Sequence, residues 1–281
     1  LTLKNNPETN VAKESIPGVT QSILNESYLF EYGSEESLIF IKKNKDTIGA
    51  VLVEPVQSRN PGFQPLSYLQ KLRIVTEENN IALIFDEVIT GFRIDLGGCQ
   101  NYFNIRADII TYGKVIGGGL PIGIVAGKSE FLDALDGGFW QYGDDSFPKV
   151  KSTFVAGTFC HHPLAMSTAL KTLEILNLSN GLLLKELNST TENFCARMNI
   201  FFIENNLKIS IVNFGSLFRF ITPGKYKKIY SQLLLNGVYI WEGRNCFFSY
   251  AHNKEIISSL EGKIKLSCMQ LIEKGIIKTK N

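Results

Sequence analysis

No apolar stretch in this 281-residue chain reaches the roughly 20 residues that a membrane-spanning helix needs, and no signal peptide is visible. Cysteine is sparse: five residues, at 99, 160, 195, 246 and 268, odd in number and without a CxxC pair, which reads as a reducing, cytoplasmic setting. An excess of one charge is also lacking. The formal net charge is +2 and the lysines are scattered rather than striped, which argues against a nucleic-acid surface. There is no internal repeat and no low-complexity segment. Two nucleotide motifs fail on inspection. Gly127-Lys128-Ser129 has the end of a P-loop, but Ile122 stands where its first glycine belongs; Gly117-Gly118-Gly119 does not complete GxGxxG, again because of Ile122. Histidine occurs three times. Cys160-His161-His162 has no second ligand cluster to join, so no metal is expected, and His252 reads as a loop or cap residue.

What is present fits a large α/β protein: 44% hydrophobic residues and a mean hydropathy of +0.02 allow a substantial core. Strand and helix patterns alternate. Strands are expected at residues 47–53, 81–85, 109–112 and 122–126, with a helix at 66–79 before the second of them. A long helical region runs from Pro163 to about Asn205 and is expected to break near Ser179-Asn180-Gly181. Further strands are expected at 209–213, 217–221 and 237–240, with a final helix from about Lys254. We divide the chain into a large-domain part, 1–178, and a smaller C-terminal α+β domain, 179–281. Residues 137–152, rich in Gly, Asp and aromatics, form an irregular loop of the kind that often serves function.

Two residues concentrate the chemistry. Asp86 ends the continuous apolar run Ile81-Ala82-Leu83-Ile84-Phe85, the pattern of a strand buried on both faces. A half-buried carboxylate needs a cationic partner to stay charged. Lys114 follows a second strand pattern and precedes Gly117-Gly118-Gly119, whose backbone can approach a ligand closely. A lysine desolvated there is a better nucleophile toward an aldehyde. One acid and one amine suit pyridoxal 5'-phosphate, whose aldehyde condenses with a lysine and whose ring nitrogen stays protonated beside an acid. Val88, two residues on, points the same way as Asp86 if the backbone stays extended, and would pack under a flat ring. The plainer alternative is that Asp86 caps the turn after its strand.

In order and spacing, Glu54-Pro55-Val56, the stretch 86–93, the stretch 113–123 and Gly157-Thr158-Phe159-Cys160-His161-His162-Pro163 resemble the class III aminotransferases, and most nearly their glutamate-1-semialdehyde aminomutase branch. Tyr142-Gly143-Asp144-Asp145-Ser146, the stretch 214–220 and Tyr239-Ile240-Trp241-Glu242-Gly243-Arg244-Asn245-Cys246 are similar to aminotransferase domains of hybrid polyketide/non-ribosomal peptide synthases. The resemblance implies pyridoxal-phosphate transferase fold type I: a partial large domain with a mostly parallel sheet plus the small C-terminal domain. It also implies that Asp86 pairs with the pyridine nitrogen, that Val88 packs on the ring, and that Lys114 binds the cofactor covalently and shuttles the proton. Thr158 would bind the phosphate from the neighbouring subunit of a homodimer, with Glu54 in support.

The chain departs from the family at Ile89, where many members carry glutamine, so the hydrogen bond to the ring hydroxyl comes from elsewhere. The family's N-terminal part, with its phosphate loop and ring-stacking aromatic, is expected upstream of Leu1, which with the non-methionine start suggests a fragment or excised domain holding half of the cofactor pocket. Arg219 and Arg244 can bind a carboxylate or a phosphate, or form structural ion pairs. Three functional readings follow: transfer of an amino group from an amino-acid donor to a carrier-protein-tethered β-keto acyl thioester, glutamate-1-semialdehyde isomerisation, or a non-catalytic remnant.

Overall fold

The structure, a computed structural model, describes residues 17–277 and the backbone of two short strands before them. In chain order the elements are β1 (Leu3–Asn5), β2 (Ala12–Glu14), α1 (Gln21–Asn25), α2 (Glu35–Lys43), β3 (Ala50–Val53), α3 (Leu66–Glu78), β4 (Ala82–Asp86), α4 (Gly98–Phe103), β5 (Ile109–Gly113), β6 (Gly123–Gly127), α5 (Ser129–Asp136), α6 (Pro163–Leu178), α7 (Leu182–Glu204), β7 (Ser210–Phe214), β8 (Leu217–Ile221), α8 (Lys228–Leu235), β9 (Cys246–Phe247) and α9 (Lys254–Glu273). Among the described residues no helix is long and apolar enough to cross a membrane. All five cysteines are free.

Two compact units share the chain: Leu1–Val51 with Pro65–Leu83, and Leu52–Gln64 with Ile84–Asn281. In the first, α2 and α3 bury Leu38, Ile41, Leu69 and Leu72. The Ser37 and Tyr68 hydroxyls meet at 2.7 Å between them, so the polar atoms inside this contact are paired. Strand β3 starts three residues later than expected. Thr47 bonds back to the Asn44 carbonyl through both its N–H and its hydroxyl, closing the end of α2 instead of extending the strand.

β3, β4, β5 and β6 lie side by side in that order. β4 runs parallel to β5, pairing Asp86 with Thr111, whereas β6 is antiparallel to β5. The apolar run of β4 is buried as its composition requires, with Leu83 and Phe85 fully enclosed.

The C-terminal part of the second unit is an antiparallel sheet, β7-β8-β9, with α7, α8 and α9. Its core gathers Phe194, Met198, Phe202, Ile229, Leu233, Ile264 and Leu271. Phe194 sits edge-on to both Phe218 and Phe248. The break between α6 and α7 falls where expected, since Asn180 (φ 48°) and Gly181 (φ 74°) are both left-handed, a conformation that Asn and Gly tolerate best. The strand expected at 237–240 does not form. Gly237 (φ 74°) ends α8, and the Val238 N–H returns to the Leu233 carbonyl, so it is spent on a helix cap rather than a ladder. The third strand is Cys246–Phe247 instead.

Candidate active site

Because β4 and β5 are parallel, Asp86 and the segment beginning at Lys114 emerge at the same, carboxyl, edge of the sheet, where ligands of open α/β sheets bind. The Asp86 Oδ1 accepts from the Val88 N–H at 3.1 Å and from the Thr111 hydroxyl at 3.3 Å. Both of its hydrogen bonds thus fall on one oxygen. The first is the turn cap of the plainer alternative, and it corrects the expectation for Val88: the backbone leaves the extended conformation after Asp86 and turns. Val88 still borders the site, since a methyl group added to Gly113 would lie 3.4 Å from its Cγ1.

Lys114 has φ 53°, a left-handed conformation uncommon for any residue with a side chain. It is exposed, contrary to the desolvation expected from its apolar neighbours, and its ammonium makes no hydrogen bond or ion pair with any described residue. The backbone around it is tightly held. The Thr168 hydroxyl of α6 donates to the Gly117 carbonyl at 2.9 Å, and a methyl group added to Gly118 (φ 59°) would lie 2.7 Å from the Thr172 hydroxyl. Helix α6 is therefore the seat of the lysine segment, and the glycines permit that approach.

Glu54 directly follows β3, and its Oε2 accepts from the Ser58 N–H at 2.8 Å. Thr158 lies elsewhere. No hydrogen bond joins it to the Asp86–Lys114 cluster among the described residues, and its segment is open to solvent, with Phe154 92% and Phe159 81% exposed. Arg219 donates to the Asn245 side chain at 3.0 Å and to the Gly243 carbonyl at 2.6 Å; Arg244 lies over the Trp241 ring at 4.9 Å. Neither forms an ion pair with a described residue, so the ion-pair alternative is not what holds them. His252 behaves as a turn residue, its Nδ1 accepting from the Ser249 N–H at 3.1 Å just before α9. Among the described residues no group of His, Cys, Asp and Glu gathers in a way that could hold a metal ion.

Two residues of the stretch 86–93 to which the sequence assigned no role, Glu87 and Arg93, shape the turn after Asp86. Glu87 is fully buried and caps α4, accepting from the Cys99 N–H at 2.6 Å and the Gln100 N–H at 3.3 Å. Gly98 permits this, because a methyl group there would lie 2.4 Å from the Glu87 carboxylate. Burial raises the Glu87 carboxyl above its ordinary 4.5, and the backbone donors only partly oppose the shift. A raised carboxyl binds its proton more readily in the folded than in the unfolded chain, so its contribution to stability is present below pH 4.5 and is lost as pH rises through the folded value. We therefore expect the stability difference between wild type and Glu87→Gln, followed by denaturant unfolding, to shift against the wild type as pH increases above about 4.5. A difference independent of pH would show that Glu87 titrates normally. Arg93, the other residue, donates from Nε to the Ile89 carbonyl and from Nη1 to the Ser216 hydroxyl, both at 3.0 Å.

Comparison with known proteins shows the fold and the family. The chain superposes on an omega-transaminase from Sphaerobacter thermophilus with a TM-score of 0.82, at 22% identity, over 95% of its own length and 63% of that chain, so the fold is that of the α/β transaminases. The family profile for aminotransferase class-III matches residues 6–247, and the chain belongs to the class III aminotransferases. It is 31% identical over 272 residues to a glutamate-1-semialdehyde 2,1-aminomutase of Methanococcus maripaludis, covering 91% of this chain and 61% of the relative. It is 36% identical over 269 residues to the enzyme of the same name from Sulfolobus acidocaldarius, covering 86% and 59%. The chain thus spans about three fifths of the length of these relatives.

Proposed function

We propose that this chain carries the lysine and the acid of a pyridoxal-phosphate site and moves an amino group from an amino-acid donor to a carbonyl acceptor. The observation that carries the reading is the placement of Asp86 and Lys114 at the carboxyl edge of adjacent parallel strands, with Lys114 held left-handed. The residues suit the cofactor: Asp86 keeps its second oxygen for a ring N–H, Lys114 has an unengaged amine, and the glycines bring backbone close. When bound, the cofactor supplies an electron sink for the donor's α-carbon. Asp86 holds the ring-nitrogen proton in place. Lys114 Nζ anchors the cofactor and, as a free amine, takes the proton from that carbon and returns it. Val88 packs on the ring and Glu54 supports the edge. Thr158 serves the phosphate of a second copy in a homodimer, a reading supported by the exposed aromatics of its segment.

For the acceptor we favour a β-keto acyl thioester tethered to a carrier protein, on the synthase-like stretches at 142–146 and 239–246. Arg219 and Arg244, without carboxylate partners, are available to a substrate carboxylate or a carrier-arm phosphate. Isomerisation of glutamate-1-semialdehyde is the second reading, favoured by the two aminomutase relatives. The whole protein should be offered a carrier-loaded β-keto acid and glutamate-1-semialdehyde in parallel, with mass-spectrometric detection. We expect the carrier-bound acid to gain an amino group; turnover of the semialdehyde alone selects the second reading.

A further inference from the structure

Arg93 is partly buried, and every hydrogen bond it makes goes to a neutral group, the Ile89 carbonyl and the Ser216 hydroxyl. One face of its guanidinium lies 4.3 Å from the centre of the Phe247 ring. It forms no ion pair among the described residues. The nearest acid in sequence, Asp95, is committed to the Gly97 N–H and the Asn101 side chain, each at 2.8 Å. Burial pulls the guanidinium down to about 10, with no carboxylate close enough to oppose the shift. A cation partly withdrawn from water without a counter-charge carries a desolvation cost, and hydrogen bonds to neutral acceptors offset only part of it. The planar fork has five N–H groups, of which two are engaged in the bonds above, so it retains donors for a bidentate acceptor.

We propose that Arg93 is a binding residue for a carboxylate, and that this carboxylate belongs to the amino-acid or keto-acid substrate. The residue is part of the turn that starts at Asp86: its Nε holds the Ile89 carbonyl, and the neighbouring Phe92 packs on Tyr112, two residues before Lys114. The identity of the carboxylate as substrate rests on the aminotransferase reading, whereas the anion site itself does not. Ser216 orients the fork, and Phe247 holds the plane of the guanidinium, so the position selects a planar oxyanion over a point charge.

The test is a titration of the 281-residue chain with glutarate at constant ionic strength, following the side-chain nitrogen signals of Arg93 by NMR and the affinity by calorimetry. The Arg93 signals are identified by their loss in Arg93→Lys. We expect them to move saturably in the wild type, and affinity to fall at least about tenfold in Arg93→Lys, which keeps the charge and loses the fork. Unmoved Arg93 signals, or equal affinity in the lysine variant, overturn the proposal; if that variant does not fold, Arg93→Gln supplies the assignment and the wild-type signals decide. Inorganic phosphate is titrated as a second arm, and preference for phosphate over glutarate overturns the substrate-carboxylate assignment. Visible absorbance of the whole protein offered pyridoxal phosphate keeps the two readings apart. Glutarate binding at Arg93 without any lysine-bound cofactor band counts against the aminotransferase reading and leaves the anion site standing.

Discussion

Lys114→Ala is expected to abolish covalent capture of pyridoxal phosphate and to lower amino transfer by about a thousandfold or more, the middle of the range that a single positioned base contributes. Borohydride reduction followed by peptide mass mapping reads the first effect, and single-turnover kinetics with a donor amino acid reads the second. A visible band that survives in the alanine variant would assign the attachment to a different lysine. The backbone adds an independent signature. At φ 53° any residue with a Cβ carries roughly 1–2 kcal/mol of strain that glycine does not. Lys114→Gly should therefore be as inactive as the alanine variant and yet more stable than wild type in denaturant unfolding. Stability gained where activity is lost is the mark of a residue held for function.

The sequence made the parts of this site legible that depend on neighbours along the chain. The apolar run ending in Asp86 could be read as a buried strand because burial on both faces forces continuous hydrophobicity, and the break at Asn180-Gly181 because left-handed residues leave a compositional trace. What depends on distant partners was not legible. The six residues of α4 carry no cap of their own; their N–H groups are taken by Glu87, twelve and thirteen residues earlier. Arg93 finds Ser216 across 123 residues, and no local pattern announces an arginine that will lack an acid. The strand expected at 237–240 has the right residues, but the preceding helix claims the Val238 N–H first. Apolar neighbours in sequence likewise did not make Lys114 buried, because the turn that seats Gly117 and Gly118 against α6 leaves the lysine in solvent.

Asp86 can be separated from its role as a turn cap by a pair of substitutions. Asp86→Ala loses the acceptor for the Val88 N–H and the Thr111 hydroxyl, so it should cost about 1 kcal/mol of stability for each bond as well as its charge. Asp86→Asn keeps an Oδ1 that can accept both bonds and loses only the charge. If the carboxylate acts by holding a proton on the ring nitrogen, the two variants should be nearly equal in activity, each slower than wild type by about a hundredfold or more. That is the loss expected when a charge-assisted hydrogen bond worth up to about 3 kcal/mol is removed from a step that depends on it. Their stabilities should differ, with the asparagine variant close to wild type. Lysine capture of the cofactor should persist in both, because the amine at 114 does not use Asp86, and the visible band then shows that the site has formed. An asparagine variant that keeps wild-type activity would return Asp86 to the plainer role, a strand-end residue that caps the turn and leaves the electron sink to other groups.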